Sequence, residues 1–526
     1  MPARTWHEAV RDRRPGRRLR AGGPGRRALL VAIAGVAGVA GVAGIWGAGC
    51  GLSAGTADCL SDPSLCPRGT ECDPDSRQCR PLGSMSCSES AGCPLPEKPI
   101  CSAGRCVACD ALSDPEQGDA ACQARGEKNS QGCIRSGARK GRCGACRVSA
   151  HCSDAARPVC DPSTFSCRPC QRHAECPASL VCNLGGGLLG AAEDEAPEGH
   201  CVPAAKTVLV DGDRCVRGDP ASDGSSERPF CDPQSALGKG AILVVRPRAV
   251  GSYPALALSG GRRAVLVGPG REIGQAPHLA GVSASGDGTE LVVSDLRLRG
   301  DTAAAVCSGG ASLALLRSLA SDSPTGVDAT GCGRLTIEGS EVRASRGTGL
   351  RIGPGARSYR VVNALVRDNG TTQLGAVGVY LASSASGSFA FNTLLGNGPQ
   401  GALAAMASDG GGVTCEAGGA PRAVTDSIVV QNSRGPSAAG TQFAGPCVVQ
   451  RVVVGIDAVS TFPPNTAVLR ILPDLDQSLR LLNTPNNRMY VVDKGQADAV
   501  QPLRVDHFGG ERPKGAGYDL GAHELR

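Results

Sequence analysis

Cysteine is spread so unevenly along this chain that one folding principle cannot serve all of it. Of 27 cysteines, 23 fall within residues 50–231, and only Cys307, Cys332, Cys415 and Cys447 follow. The first stretch is about 13% cysteine, a density that marks a disulfide scaffold made in an oxidising compartment. The second stretch must find its stability elsewhere. Aromatic residues are 3% of the chain, whereas Gly and Pro number 74 and 36, so a core built around large rings is excluded. Small aliphatic side chains, stacked in a thin core, are the remaining material.

The net charge of +6 comes from the N-terminus. Residues 1–49 hold nine Arg against Glu8 and Asp12, which leaves 46 basic and 47 acidic residues in the rest. The body is neutral and lacks the basic footprint of a nucleic-acid-binding protein. After Arg26 and Arg27 comes an uncharged apolar run, residues 28–49, and then Cys50. A basic segment, an apolar run and small residues before a boundary are the marks of an export signal. The alternative is an uncleaved anchor, since 22 residues are long enough to span a bilayer. Either way the arginines stay inside and the remainder crosses.

Gly47-Ala48-Gly49-Cys50 resembles a bacterial lipobox, with Gly47 departing from the usual Leu. The resemblance implies cleavage before Cys50 and lipidation of its thiol. The chain then reads as 1–49 signal or anchor, 50–58 linker, 59–203 cysteine-rich stalk and 204–526 a solenoid.

The stalk divides into five modules of four cysteines. Module 1 is Cys59, Cys66, Cys72 and Cys79; module 2 is Cys87, Cys93, Cys101 and Cys106. Module 3 is Cys109, Cys122, Cys133 and Cys143; module 4 is Cys146, Cys152, Cys160 and Cys167; module 5 is Cys170, Cys176, Cys182 and Cys201. Modules 2 and 4 share the spacings C-x5-C-x7-C, and PEKPICSAGRCVAC is echoed by ARPVCDPSTFSCRPC. Repetition on this scale argues for a linear array of small units. The C-x2-C pairs Cys106/Cys109, Cys143/Cys146 and Cys167/Cys170 invite a zinc reading. Each pair, however, joins the last cysteine of one module to the first of the next, so bridges are expected, with no metal or cofactor. The array serves either as a spacer or as a protein-binding surface; spacing leaves the pairing inside each module open.

Beyond residue 204 the sequence is periodic. RSLASDS (317–323), GSEVRAS (339–345), NALVRDN (363–369), NTLLGN (392–397) and DSIVVQN (426–432) repeat at steps of 22, 24, 29 and 34 residues. A second short strand precedes each one, as GVDA at 326, GLRI at 349 and GVYL at 378. Strands this short cannot close a core singly, but stacked copies can. Asn363, Asn369, Asn392, Asn397 and Asn432 are expected at turns and in hydrogen-bonded ladders.

This region resembles the right-handed parallel β-helix family, the architecture of pectate-lyase-like proteins. DGDRCVRGDPASDGSSERPFCDPQSAL (211–237) is similar to the opening of such domains. RVDHFGGERPKGAGYDLGAHE (504–524) is similar to the terminal motif of bacterial β-helix repeat proteins, through Asp506, Gly510, Arg512, Pro513, Asp519, Gly521, Ala522 and Glu524. It reads as a cap on the last turn, residues 504–526. The fold expected is all-β, a parallel solenoid behind a small disulfide-rich repeat region. Six cysteines remain, and proximity pairs Cys215 with Cys231, Cys307 with Cys332 and Cys415 with Cys447.

Enzymes on this fold act on uronic-acid polymers, through paired carboxylates or through a base beside a cation site. The strings that carry that chemistry are absent, and residues 289–460 hold no histidine, so no catalytic residue is assigned. Arg343, Arg346 and Arg367 stand out instead, because spacing by one repeat stacks Arg343 and Arg367 on one face. Such a patch suits an acidic polysaccharide. The expectation is an exported protein of the cell envelope, lipid-anchored at an outer membrane or cell surface, that binds glycan or a neighbouring surface. A polysaccharide lyase or hydrolase, and a purely structural envelope protein, are the alternatives.

Overall fold

A computed structural model describes Cys66, residues 70–72 and 79–81, and then most of the chain from residue 87. The longest stretches left out after that are 185–198, 401–410, 433–441 and 456–466. The signal segment, Cys50 and the linker lie outside the described residues. None of the described helices is long and apolar enough to cross a membrane.

The contacts divide the chain into residues 1–81 and 82–526. In the first unit Thr70–Cys72 pairs antiparallel with Cys79–Pro81, and Cys66 bridges Cys79. The second unit contains modules 2–5 and the solenoid together. The change of architecture near residue 204 is therefore not where contacts thin out.

Modules 2–5 follow one rule. Their first cysteine bonds their third, and their second bonds their fourth: Cys87–Cys101 and Cys93–Cys106, Cys109–Cys133 and Cys122–Cys143, Cys146–Cys160 and Cys152–Cys167, Cys170–Cys182 and Cys176–Cys201. In module 2 the third and fourth cysteines face each other across the hairpin Ile100–Ser102/Arg105–Val107. The tight turn at Ala103 and Gly104, both at positive φ, holds that hairpin. The two bridges then fasten it to the strandless first half. With cores of only a few buried residues, such as Ile100, Cys109, Cys122 and Cys133, the bridges supply most of the stability, typically ~2–4 kcal/mol each.

From residue 207 the chain winds into a parallel β-solenoid of about eight turns. Each turn lays down three strands, which build three parallel sheets. Sheet A runs from Thr207–Val210 and Ile242–Val245 through Arg263–Val267, Glu290–Ser294, Ser312–Leu316, Arg334–Glu338, Ser358–Val362, Ser386–Ala390, Arg422–Thr425 and Cys447–Val454 to Ala467–Arg470. Sheet B is narrower: His278–Leu279, Arg297–Leu298, Leu319–Ser321, Glu341–Arg343, Leu365–Arg367, Thr393–Leu395 and Ile428–Val430. Sheet C holds eight strands, from Leu256–Ser259 to Phe443–Ala444. Alternating residues of all three point inward and merge into one core of Leu, Val, Ala and Ile, with Phe389 buried inside it. This is the thin aliphatic core that the composition requires.

The repeated seven-residue string is the path around sheet B. Its first residue bends the chain out of sheet A with positive φ, as at Asp295, Arg317, Gly339, Asn363 and Asp426. Its sixth bends it toward sheet C in the same way, at Asp322, Ala344, Asp368, Gly396 and Gln431. Asn and Asp tolerate this left-handed backbone better than other side chains. The residues after each bend form ladders. Asn369 Nδ2 donates to Asn397 Oδ1 (2.8 Å), Asn397 Nδ2 to Asn432 Oδ1 (2.9 Å), and Asn432 Nδ2 to Gln442 Oε1 (2.7 Å). Glycine is required beside them: a Cβ on Gly349 would lie 2.7 Å from Asn369 Nδ2 and 2.8 Å from the Gly378 carbonyl. Ser318, Ser340, Asn392 and Ser427 form the second ladder, at the other bend.

Three bridges staple the solenoid: Cys215–Cys231, Cys307–Cys332 and Cys415–Cys447. The opening segment closes the first turn, with Phe230 and Ala236 joining the core.

Candidate functional site

Two flanking elements cover parts of the solenoid's outer surface. Module 5 covers part of the outside of sheet A. Its Val181 and Val202 pack on Ile242, Val244, Val265, Val267, Val292 and Leu316. The C-terminal segment covers the later turns. Leu481, Val491 and Leu520 lie on Ile428, Val430 and Val453; Leu503 and Tyr518 lie on Val362, Ala390 and Phe391; Leu479 and Ala522 lie on Leu365. The terminal motif is thus a clasp along the side of several turns, not a lid on the last one.

Most of the motif residues have a job in that clasp. Arg512 is fully buried and pairs with Glu524 (3.2 Å). It also donates to Asn363 Oδ1 (2.7 Å) and to the carbonyls of Asp519 and Gly521. Asp506 accepts from Gly510 N and Glu524 N, and Asp519 accepts from Asp493 N and Leu525 N. These carboxylates look like an acid cluster, but they serve the backbone.

Sheet B between the two flanking elements carries a strip of arginines. Arg343 and Arg367 are direct partners in register, as their spacing predicts. Extending the register places Ser321 and Arg299 before them in the same column. Rungs lie ~4.8 Å apart, so Arg299 and Arg367 stand ~14 Å apart. His278 and Arg297 begin the neighbouring column, and Arg346 is exposed just past the bend toward sheet C. Burial, then the charges of Arg297 and Arg299, hold His278 below its ordinary pKa and keep it neutral.

Glu341 changes the value of two of these arginines. Its side chain is 6% exposed and binds Arg367 Nε at 2.8 Å and Arg343 Nη1 at 3.5 Å; Arg367 also meets Asp368. Arg343 and Arg367 are therefore oriented and partly neutralised. Among the described residues no ion pair is made by Arg297, Arg299 or Arg346, so these are the cations with most to offer an anion. Sequence reasoning singled out Arg346 but missed Arg297 and Arg299. They lie ahead of the repeat copies it aligned, and no local pattern marks them.

A second constellation contains Ser294, His173 and Asp295, residue types of a hydrolytic triad, all buried. Its geometry excludes that role. Ser294 Oγ donates to Asp295 Oδ2 (2.5 Å) rather than to the histidine. His173 Nδ1 accepts from Cys182 N (3.1 Å), and Nε2 meets Asp295 Oδ2 at 3.0 Å. No base faces a nucleophile. Asp211 accepts from Asp213 N and Arg214 N, a turn arrangement.

No protein-family model matches the chain, no curated protein matches it, and no solved structure matches it.

Proposed function

We propose that this is an exported, surface-held protein that binds acidic polysaccharide without transforming it, using the outer face of sheet B. The observation that carries the reading is the arginine strip, in which Arg343 and Arg367 are register partners, Arg299 lies in the same column beyond Ser321, and Arg299 and Arg346 are exposed. Guanidinium groups at fixed intervals suit carboxylates repeating along an extended polymer. The disulfide array supports an oxidising location, and the basic-apolar-Cys50 start supports a lipid anchor of the bacterial kind. The likeness to pectate-lyase-like β-helices, drawn from the opening and terminal motifs, agrees with a glycan ligand.

The test is retention of oxidised full-length protein, in detergent, on polygalacturonate and on neutral dextran. Retention on the acidic polymer that falls as salt rises, and that is lost in the Arg297→Ala/Arg299→Ala/Arg346→Ala variant, is expected. Equal retention of wild type and variant removes the strip from the reading. Release of unsaturated products or reducing ends from any polymer replaces it with a lyase or hydrolase.

A further inference from the structure

Modules 2, 4 and 5 share an internal brace. The third residue after the first cysteine accepts a hydrogen bond from the third cysteine's N–H: Ser90 Oγ from Cys101 (3.1 Å), Ser149 Oγ from Cys160 (3.2 Å) and His173 Nδ1 from Cys182 (3.1 Å). A serine performs this task completely. Histidine in module 5 performs it and has a second nitrogen left. Because Nδ1 accepts, the ring proton sits on Nε2, which points to Asp295 Oδ2 at 3.0 Å in sheet A's bend. Both side chains are 1% exposed. Asp295 is held from its other side by Arg317 (3.0 Å) and Ser294 (2.5 Å). Around this polar point Val181 and Val202 cover a row of outward Val, Ile and Leu side chains that a solvated sheet would not carry.

We propose that module 5 is an oxidation-set latch on the solenoid. Its bridges Cys170–Cys182 and Cys176–Cys201 hold the segments bearing His173, Val181 and Val202 in the one arrangement that fits sheet A. Without them Cys182 N–H no longer fixes the imidazole, and the apolar row of sheet A is uncovered. A dithiol opens each bridge by thiolate attack on one sulfur, followed by closure of the mixed disulfide. Two electrons and two protons pass to the bridge, giving two thiols, while the reagent becomes a cyclic disulfide. The solenoid core, which contains neither bridge, persists. The finished surface is reached only after oxidation, and an unoxidised chain displays the apolar row as a mark of incompleteness.

The test compares full-length oxidised protein with the Cys170→Ser/Cys182→Ser variant and with His173→Ser, which restores the brace of modules 2 and 4 but has no arm for Asp295. Both variants are expected to bind an apolar dye and to be cleaved by protease within residues 171–202 roughly tenfold faster. Far-ultraviolet circular dichroism of the solenoid is unchanged, and thiol alkylation shows all other bridges intact. Asp295→Asn, made in the solenoid, is expected to match His173→Ser. Wild-type cleavage rates and dye binding in His173→Ser and in the cysteine variant would overturn the latch. A change in His173→Ser alone would leave a polar contact but remove the role of oxidation.

Discussion

The solenoid is flanked at two places by added elements, and an arginine–carboxylate pair stands at each junction. The outcomes differ. At Asp295 one carboxylate receives Arg317, His173 and Ser294. Burial alone pushes its pKa up, but these partners outweigh burial and hold it well below the usual carboxylate range. In the terminal clasp one guanidinium, Arg512, stands among Asp506, Asp519 and Glu524. Burial pushes the Glu524 and Asp519 carboxyls up, and Arg512 only partly opposes it. Burial also pushes Arg512 down. An ion pair in a protein interior is thus not one kind of object. The ratio of donors to acids decides whether the charged form is favoured.

The largest test of that contrast is Arg512→Met. It leaves three buried carboxyls without their cation and should cost about 3–5 kcal/mol, read by denaturant unfolding, with release of the segment after residue 471. Arg317→Met should cost less, about 1–3 kcal/mol, because His173 and Ser294 still donate to Asp295. The reverse order would break the comparison.

Next comes pH. Asp295 is depressed, so the stability it adds is present above the ordinary carboxylate value of ~4 and is lost as pH falls through its lowered value. Glu524 and Asp519 are raised, so their contribution is complete below ~4 and fades as pH rises through their raised values. Through the carboxylate range acid should therefore loosen module 5 and favour these two clasp groups, whereas His523, held below its ordinary pKa by burial, opposes them in the clasp. Hydrogen exchange near residues 179–184 and 518–525 would show which end opens.

A smaller effect sharpens the ground between the two ends. Asn397→Ala removes ladder bonds to Asn432 and to Val366 O (2.8 Å) and should cost about 1–3 kcal/mol. The smallest is Arg343→Ala, within ~1 kcal/mol of wild type because its pair is a half-exposed one. It should reduce retention on polygalacturonate less than Arg297→Ala does.

How far these features could be read from the sequence depended on range. The repeated string around Glu341 or Asn369 encodes bends, ladder and strand within seven residues, so period and turn chemistry exposed the solenoid, and the asparagines' roles followed. The serines at 318 and 340 share the ladder but look like ordinary surface residues. His173 and Asp295 meet across 122 residues, with no periodicity to join them. In the sequence the histidine is simply a polar residue three positions past the Cys167/Cys170 pair. Glu341 was likewise hidden. Its two arginines announced a basic face, while the single buried acid that ties them is invisible until the rungs are stacked.

The interleaved bridges have a mechanical meaning. In module 2 the chain from Cys87 to Cys106 is 19 residues, but the bridge from Cys87 to Cys101 leaves only five residues of free contour to Cys106. At ~3.3–3.6 Å per residue, tension applied along modules 2–4 can draw out little length before it meets covalent sulfur. The weakest joint under pull is then where covalent reinforcement gives way to ordinary packing, at module 5 on the solenoid. The array behaves as an inextensible cord with a breakable knot, and that knot lies where His173 holds Asp295.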